Sequence, residues 1–248
     1  MEIRSIPAGI VRARVRSDGF AESRVNVPAT ARGNFAIKLT KTTDKAELAF
    51  QEAERKLKID RREAIDAYKK TLEIKPAYPD VLIALARALI AIGEFTEAED
   101  AIAKARKLRP SFAEASAVEG RLYKDEGDET KAIASFERAI KEGRGFQPEA
   151  FTGLGLLYSD KADAAADDPS INDQELFALA ETNFTSAIKQ LGSAPDAAVV
   201  YQLLGRIYEK RGENDQAIAL YKTFLKLFPD SPESTAVRSF ITQLEKQP

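Results

Sequence analysis

The feature that most constrains this chain is an internal period of 34 residues. Three stretches each begin with Gly and an acidic residue, carry Ala five positions later, and have a large apolar residue four positions after that Ala. They are GEFTEAEDAIAKARKLRP at 93–110, GDETKAIASFERAI at 127–140 and GENDQAIALYKTFLKLFP at 212–229. Ala98 and Ala132 lie one period apart. A unit of this length cannot bury its apolar face alone, so copies are expected to stack on one another.

Each unit is predicted to be a pair of helices. A small residue stands twelve positions before each of those alanines, at Ala86, Gly120 and Gly205. A glycine inside a helix costs roughly 0.5–1 kcal/mol relative to alanine, a cost that close packing can offset. We therefore expect the small residue of the first helix to meet the alanine of the second. Gly93, Gly127 and Gly212 stand where a left-handed helix end is expected, and Pro76, Pro110 and Pro229 stand where the second helix should stop.

The pattern resembles the tetratricopeptide repeat family, whose motif has a small residue at position 8, Tyr at 11, Ala at 20, an aromatic residue at 24, Ala at 27 and Pro at 32. The residues that carry the resemblance are Gly120, Tyr123, Ala132, Phe136 and Ala139, then Gly205, Tyr208, Ala217, Tyr221 and Pro229, and Ala86, Leu89, Ala98, Ile102, Ala105 and Pro110. The resemblance implies a mainly α, right-handed solenoid of about five helical hairpins with a C-terminal capping helix. It also implies a scaffold for protein–protein contact.

The same pattern divides the chain. Residues 1–42 are expected to form a small antiparallel β segment, and residues 43–248 the solenoid. The expected repeat units are 45–78, 79–112, 113–147, 148–194 and 198–231, followed by a capping helix at 232–246. The first unit is atypical, because Glu52 and Arg55 occupy its positions 8 and 11. Terminal repeats are often atypical because they cap the stack.

The fourth unit is longer than the others. Gly155 and Tyr158 match its first helix, but the second-helix alanine comes at Ala180, thirteen residues late, which indicates an insertion at about 162–174. Asn172 followed by Glu175 has capping-box spacing and predicts a helix start near residue 173. The wider stretch 158–177 has four aspartates within nine residues: Asp160, Asp163, Asp167 and Asp168. The alternatives are solvated helix ends, a partner-docking projection, or a metal site, which the lack of calcium-loop spacing disfavours.

The N-terminal segment differs in charge and in period. Residues 1–42 hold 8 Lys/Arg against 3 Asp/Glu, and residues 43–248 hold 29 against 36. Apolar residues alternate in IVRARVR, FAESRVNVP and GNFAIKL, which predicts three short strands, with a turn at 17–19. Residues 6–41 resemble the second half of a PEGA or carboxypeptidase-regulatory-like β module, which is common in bacterial envelope proteins. The uncovered strands are expected either to pack on the first helices or to pair with another chain.

The resemblance also implies where a partner binds, which is the groove lined by the first helix of each hairpin. Arg87, Arg121 and Arg206 share position 9, and Lys124 and Lys210 lie at positions 12 and 13. Guanidinium groups suit carboxylates, so an acidic protein or peptide is one expected partner. The alternative is that these side chains pair with neighbouring acids.

A second function remains open, which is self-assembly into a homo-oligomer or filament. In that case Arg12, Arg14 and Arg16 of one copy meet the acidic insertion of another, or strands of one copy complete a neighbour's sheet. The chain has no Cys and no His, which weighs against zinc sites and hydrolase triads. We expect no enzyme activity, no metal or cofactor, no nucleic-acid binding and no membrane insertion. The envelope or the cell exterior is favoured over the cytoplasm.

Overall fold

The computed structural model describes residues 11–27, 37–165 and 172–246, and within these ranges it has two strands and eleven helices. The strands are β1 (Val11–Val15) and β2 (Ser23–Val27). The helices are α1 (Lys45–Leu57), α2 (Arg61–Ile74), α3 (Pro79–Ile90), α4 (Phe95–Leu108), α5 (Ala113–Glu126), α6 (Glu129–Glu142), α7 (Pro148–Ala165), α8 (Asp173–Leu191), α9 (Ala197–Lys210), α10 (Asn214–Leu227) and α11 (Ser234–Leu244). The expected mainly α fold of helical hairpins with a small antiparallel β segment is confirmed.

The helices form two compact units, one within residues 8–145 and one within residues 146–248. In the first unit, helices pair as α1–α2, α3–α4 and α5–α6, and each hairpin also packs on the next. In the second, α7 pairs with α8 and α9 with α10, while α11 packs on α10. Each helix buries one stripe, as amphipathic helices in stacked hairpins do. The largest fully buried side chains include Tyr68 and Phe136 in the first unit and Phe184, Tyr221 and Phe224 in the second.

Local sequence signals set the helix ends as predicted. Gly93, Gly127 and Gly212 have φ values of 81°, 85° and 72°, the left-handed conformation that glycine adopts without a Cβ penalty. The side chain of Asn172 accepts a hydrogen bond from the Glu175 backbone N–H at 3.3 Å, and α8 begins at the next residue. Capping of this kind satisfies one of the backbone donors left over at a helix start.

The glycines inside first helices lie directly against aromatic rings of the second helices. A Cβ added at Gly120 would lie 2.5 Å from Cδ1 of Phe136, and one at Gly205 would lie 2.3 Å from Cε1 of Tyr221. Ala132 is fully buried, but the three atoms nearest to a Cβ added at Gly120 all belong to Phe136. A flat ring needs a flat surface, and the bare glycine backbone supplies it.

The register of the first hairpin also differs from the expectation by one residue. Ala53 in α1 is fully buried, whereas Glu52 and Arg55 are exposed and form an ion pair with each other. Ala53 precedes Ala64 of α2 by eleven positions rather than twelve. The first helix therefore keeps a small buried residue, but one position later than predicted.

Strands β1 and β2 form an antiparallel pair in which Val11 lies opposite Val27 and Val15 opposite Ser23. The predicted turn is present, with the Phe20 N–H bonded to the Ser17 carbonyl at 3.0 Å and Gly19 at φ 80°. The third strand is not seen: residues 37–40 lie outside any strand, and the rest of GNFAIKL lies outside the described residues. The segment instead makes a single antiparallel bridge between Lys41 and Phe20, through the bonds from the Ala21 N–H to the Thr40 carbonyl and from the Thr42 N–H to the Gly19 carbonyl.

The turn of the β hairpin is bound to the first helix. The side-chain amide of Gln51 donates to the Phe20 carbonyl and its oxygen accepts from the Gly19 N–H, both at 2.8 Å. Gln51 is a buried polar residue, 7% exposed, and a buried amide without partners would be unfavourable. Its two hydrogen bonds therefore tie the hairpin turn to α1.

The inserted residues of the fourth unit lengthen both of its helices. Helix α7 has 18 residues and α8 has 19, whereas α5 and α6 have 14 each. Ala162 and Ala165 near the end of α7 and Phe177 near the start of α8 are buried. The additional turns therefore carry an apolar face of their own. Residues 166–171, including Asp167 and Asp168, lie outside the described part of the chain.

Candidate functional site

The helical register places each predicted groove arginine one position after the small residue that faces the second helix. Arg121 and Arg206 directly follow Gly120 and Gly205, the residues that face the second helix. Successive residues of a helix are turned by about 100°, so these arginines point away from the aromatic ring. Arg121 and Arg206 are exposed. Arg87, which follows the fully buried Ala86, is half-buried.

In the unit of residues 8–145, the basic groups on α5 share one carboxylate. Arg121 Nε lies 3.7 Å from Asp125 Oδ2, and Lys124 Nζ lies 3.4 Å from Asp125 Oδ1. Exposed pairs of this kind contribute roughly 0–1 kcal/mol. A carboxylate from a partner can therefore compete for the same cations at small cost.

In the unit of residues 146–248, the structure brings a predicted groove residue to the insertion. Lys210 at the end of α9 forms an ion pair with Asp163 on the extended part of α7. Among the described residues no ion pair involves Arg206. Its charge acts on the buried phenol of Tyr221. The pKa of that phenol is nevertheless raised, by burial and by its hydrogen bond to Glu209.

The residues considered for self-association are only partly described. Arg16 bonds through Nε to Glu22 at 2.7 Å, within the same hairpin. The side chains of Arg12 and Arg14 lie outside the described part of the structure, and Asp160 is exposed near the end of α7. In the described ranges, no group of three or more His, Cys, Asp or Glu side chains is arranged to hold a metal ion.

A polar cluster that the sequence analysis missed ties three helices together. Ser116 of α5 donates to Glu142 at 2.7 Å and accepts from Arg138 Nε at 3.2 Å. Arg138 also pairs with Glu119, and Arg106 of α4 contacts both Ser116 and Glu142. Burial raises the pKa of Glu119 against the lowering effect of the two arginines. Because Ser116 is fully buried, the cluster orients α4, α5 and α6 and does not present a ligand surface.

A cavity of about 630 Å³ lies in the unit of residues 146–248. Its walls come from the start of α9, the end of α10 and the segment that leads to α11, and include Val199, Phe228, Asp196, Asp230 and Glu233. None of the predicted groove residues lines it. No helix among the residues described is long and apolar enough to span a membrane.

Comparison with known proteins supports the repeat assignment directly. Three family profiles described as tetratricopeptide repeat match residues 60–122, 113–142 and 200–231. No curated protein sequence matches the chain at a significant level.

Solved structures of similar fold cover most of the chain at low identity. A chain of the Cut9–Hcn1 hetero-tetramer of the APC/C has a TM-score of 0.63 at 18% identity and covers 82% of this chain, which spans 37% of that one. A thermophilic tetratricopeptide repeat protein of Thermus thermophilus has a TM-score of 0.62 at 15% identity, with 82% and 100% covered. PilW, a type IV pilus biogenesis factor, has a TM-score of 0.58 at 15% identity, with 82% and 92% covered.

At these identities the similarity to solved structures is one of fold alone. The same helical hairpin is indicated by the repeat profiles, by the glycine-to-ring contacts and by the left-handed helix ends. The chain is a tetratricopeptide repeat protein, with repeats matched over residues 60–142 and 200–231.

Proposed function

We propose that the chain is a non-enzymatic scaffold that binds an acidic segment of another protein along the first helices of its hairpins. The groups proposed to contact the partner are Arg87, Arg121 and Lys124 in one unit, and Arg206 and Lys210 in the other. Arginine presents a planar fork of donors that matches a carboxylate. The proposal concerns each unit separately and requires no particular arrangement of the two.

One observation carries the proposal. Arginine follows the small residue that packs on the second helix in α3, α5 and α9, and two of these three side chains are exposed. The ion pairs that α5 makes at this surface are longer than 3.3 Å and open to solvent. The surface is therefore basic, and Arg121 and Arg206 lie exposed on it.

The test is quantitative affinity capture from the native source with the wild-type chain and with charge-reversed variants. Arg87→Glu with Arg121→Glu alters one unit, and Arg206→Glu alters the other. If the proposal is right, acidic proteins captured by the wild type fall by about tenfold or more with at least one of these variants, since reversing an interfacial charge removes attraction and adds repulsion.

A matched control reverses two charges on a second helix. Lys104 and Lys107 of α4 are exposed, and Lys104→Glu with Lys107→Glu makes the same change in net charge as the Arg87 and Arg121 pair. This control should retain the captured proteins. Equal capture by all variants would contradict binding at the first helices.

Self-assembly is a second candidate, favoured by the two-stranded sheet, to which no further strand is added among the described residues. A strand from another copy could extend such an edge. Against it, the hairpin turn is already bound to α1 and Asp163 is already paired with Lys210. Light scattering and negative-stain imaging of the purified chain separate the candidates, because a monodisperse monomer at high concentration contradicts assembly.

A further inference from the structure

Arg16, the residue after β1, bonds to Glu22 of its own hairpin and also lies over an aromatic ring of the helices. The guanidinium carbon of Arg16 lies 4.8 Å from the centre of the Phe50 ring on α1. Phe50 in turn contacts Tyr78 edge-on, with ring centres 5.6 Å apart. The charges of Glu54 on α1 and Asp80 on α3 act on Arg16, in addition to that of Glu22. An aromatic face in the field of carboxylates favours a guanidinium group, although Asp80 also forms an ion pair with Arg109 at 3.1 Å.

The helical part of this site is held in place without Arg16. The Tyr78 hydroxyl donates to Glu47 at 2.6 Å, and the Tyr68 hydroxyl donates to Glu54 at 2.5 Å. The Phe50 ring lies 6.1 Å from that of Tyr68. These contacts fix the ring and the carboxylates before any arginine is bound, and preorganisation of this kind favours binding.

The hairpin is also held in place without Arg16. Its turn is bound to Gln51 through Phe20 and Gly19, as described above. The Ala21 N–H bonds to the Thr40 carbonyl at 2.8 Å, and the Thr42 N–H bonds to the Gly19 carbonyl at 3.0 Å. The Arg16 side chain, 30% exposed, can therefore leave the Phe50 ring while the turn stays anchored.

We propose that Phe50, Glu54, Tyr78 and Asp80 form an arginine-binding site that the chain fills with its own Arg16, and that an arginine side chain of a partner protein displaces it. Arg16 then acts as an intramolecular ligand that keeps the site closed to weak competitors. This goes beyond the proposed acidic partner, because the chemistry recognised here is cationic and the surface is a different one.

The experiment opens the site with Arg16→Ala and titrates it with the peptide acetyl-Val-Arg-Val-amide. The matched probe is the same peptide with citrulline, which keeps the shape of arginine but has no charge. Nuclear magnetic resonance follows the aromatic signals of the full chain. We expect saturable shifts with the arginine peptide in Arg16→Ala, and binding at least tenfold weaker with the citrulline peptide and in the wild type.

Two further variants locate the effect. Arg24 also bonds to Glu22, at 2.7 Å, but makes no contact with Phe50 and is 62% exposed. Arg24→Ala should therefore bind the peptide no better than the wild type. Adding Phe50→Leu to Arg16→Ala keeps the site apolar but removes the ring, and should abolish binding.

Three outcomes would overturn the proposal. The first is that folded Arg16→Ala binds neither peptide, and the second is that it binds both equally. The third is that Arg16→Ala and Arg16→Gln both lose the hairpin, seen as loss of the Gly19 and Ala21 amide signals of the turn. In that case Arg16 is a structural anchor and not a displaceable ligand.

Discussion

The hairpins α5–α6 and α7–α8 differ in length but have the same close contact. Helices α5 and α6 have 14 residues each, and α7 and α8 have 18 and 19. A Cβ on Gly120 would lie 2.5 Å from the Phe136 ring, and one on Gly155 would lie 2.6 Å from the Phe184 ring. The longer helices therefore extend beyond the contact without changing how closely they approach at that point.

The difference in length between the two hairpins shows which part of a repeat is needed for its packing. The glycine-to-ring contact sets the separation of the two helices, whereas the length beyond it can vary if the added turns bury apolar residues. In α7–α8 those residues are Ala162, Ala165 and Phe177. A repeat can thus lose its 34-residue period and retain its packing.

The largest expected effect comes from removing the ring in each hairpin. Phe136→Ala and Phe184→Ala should each lower the free energy of unfolding by about 3–5 kcal/mol, because both rings are fully buried and truncation leaves a cavity. Urea titration followed by far-ultraviolet circular dichroism measures both. A much smaller loss for Phe184→Ala would mean that the extended turns hold α8 without this contact, and would break the equivalence of the hairpins.

The next effect comes from the other side of the same contact. Gly120→Ala and Gly155→Ala each place a methyl group within 3 Å of a ring. Overpacking of this kind costs about 1–3 kcal/mol, which exceeds the gain of about 1 kcal/mol from alanine's helix propensity. The same urea titration should show both variants to be less stable. A stability gain at Gly155 alone would show that α7 and α8 approach less closely than α5 and α6.

The helix start at the insertion gives a smaller effect. Asn172→Ala removes the acceptor for the Glu175 N–H and should lower the free energy of unfolding by about 1 kcal/mol. The control is Asn183→Ala, the same change inside α8, where Asn183 is half-buried and its side chain bonds back to the Leu179 carbonyl. Alanine favours a helix interior, so the control should be neutral or slightly stabilising. Equal losses for both would show that the cap contributes nothing specific.

The smallest expected effect is a difference in how the N-terminal caps of α6 and α8 respond to pH. Hydrogen bonds from the side chain and backbone of Lys131 lower the pKa of Asp128, which caps α6. A carboxylate whose pKa is lowered on folding stabilises the folded state above its unfolded pKa, near 3.9, and loses that effect as the pH falls through its folded pKa.

Amide hydrogen exchange should therefore show the first turn of α6 losing protection below about pH 4, after correction for the intrinsic exchange rate. The first turn of α8 has an uncharged Asn172 cap and should change less over the same range. If the two turns respond alike to acid, the Asp128 carboxylate is not the titrating group.

Much of the fold could be predicted because its determinants are local or periodic. The left-handed helix ends at Gly93, Gly127 and Gly212 and the cap at Asn172 each depend on a few neighbouring residues. The register of the first hairpin was missed by one position, because this atypical repeat departs from the motif and Ala53 rather than Glu52 is its buried residue. The third strand was predicted, but residues 37–40 are not in a strand and only a single bridge joins Lys41 to Phe20, because strand pairing depends on partners distant in the sequence.

The candidate site was less predictable than the fold. The exposed positions of Arg121 and Arg206 follow from the repeat register. The ion pair between Lys210 and Asp163 joins residues 47 positions apart, so no local sequence pattern predicts it. The contact of Gln51 with the hairpin turn could not be predicted either, since a glutamine in an amphipathic helix is expected to face solvent.

The sequence by itself determined the repeating helical hairpins, their ends and the place of the insertion, because helix periodicity and capping act within a few turns of the chain. Tertiary structure alone decided that aromatic rings lie on the glycines, that Gln51 holds the β hairpin and that Arg16 lies over Phe50. These contacts join residues 16 to 34 positions apart, and their geometry depends on how whole helices pack. The secondary-structure elements are therefore determined by local sequence, whereas the surfaces of the protein form only when the helices pack.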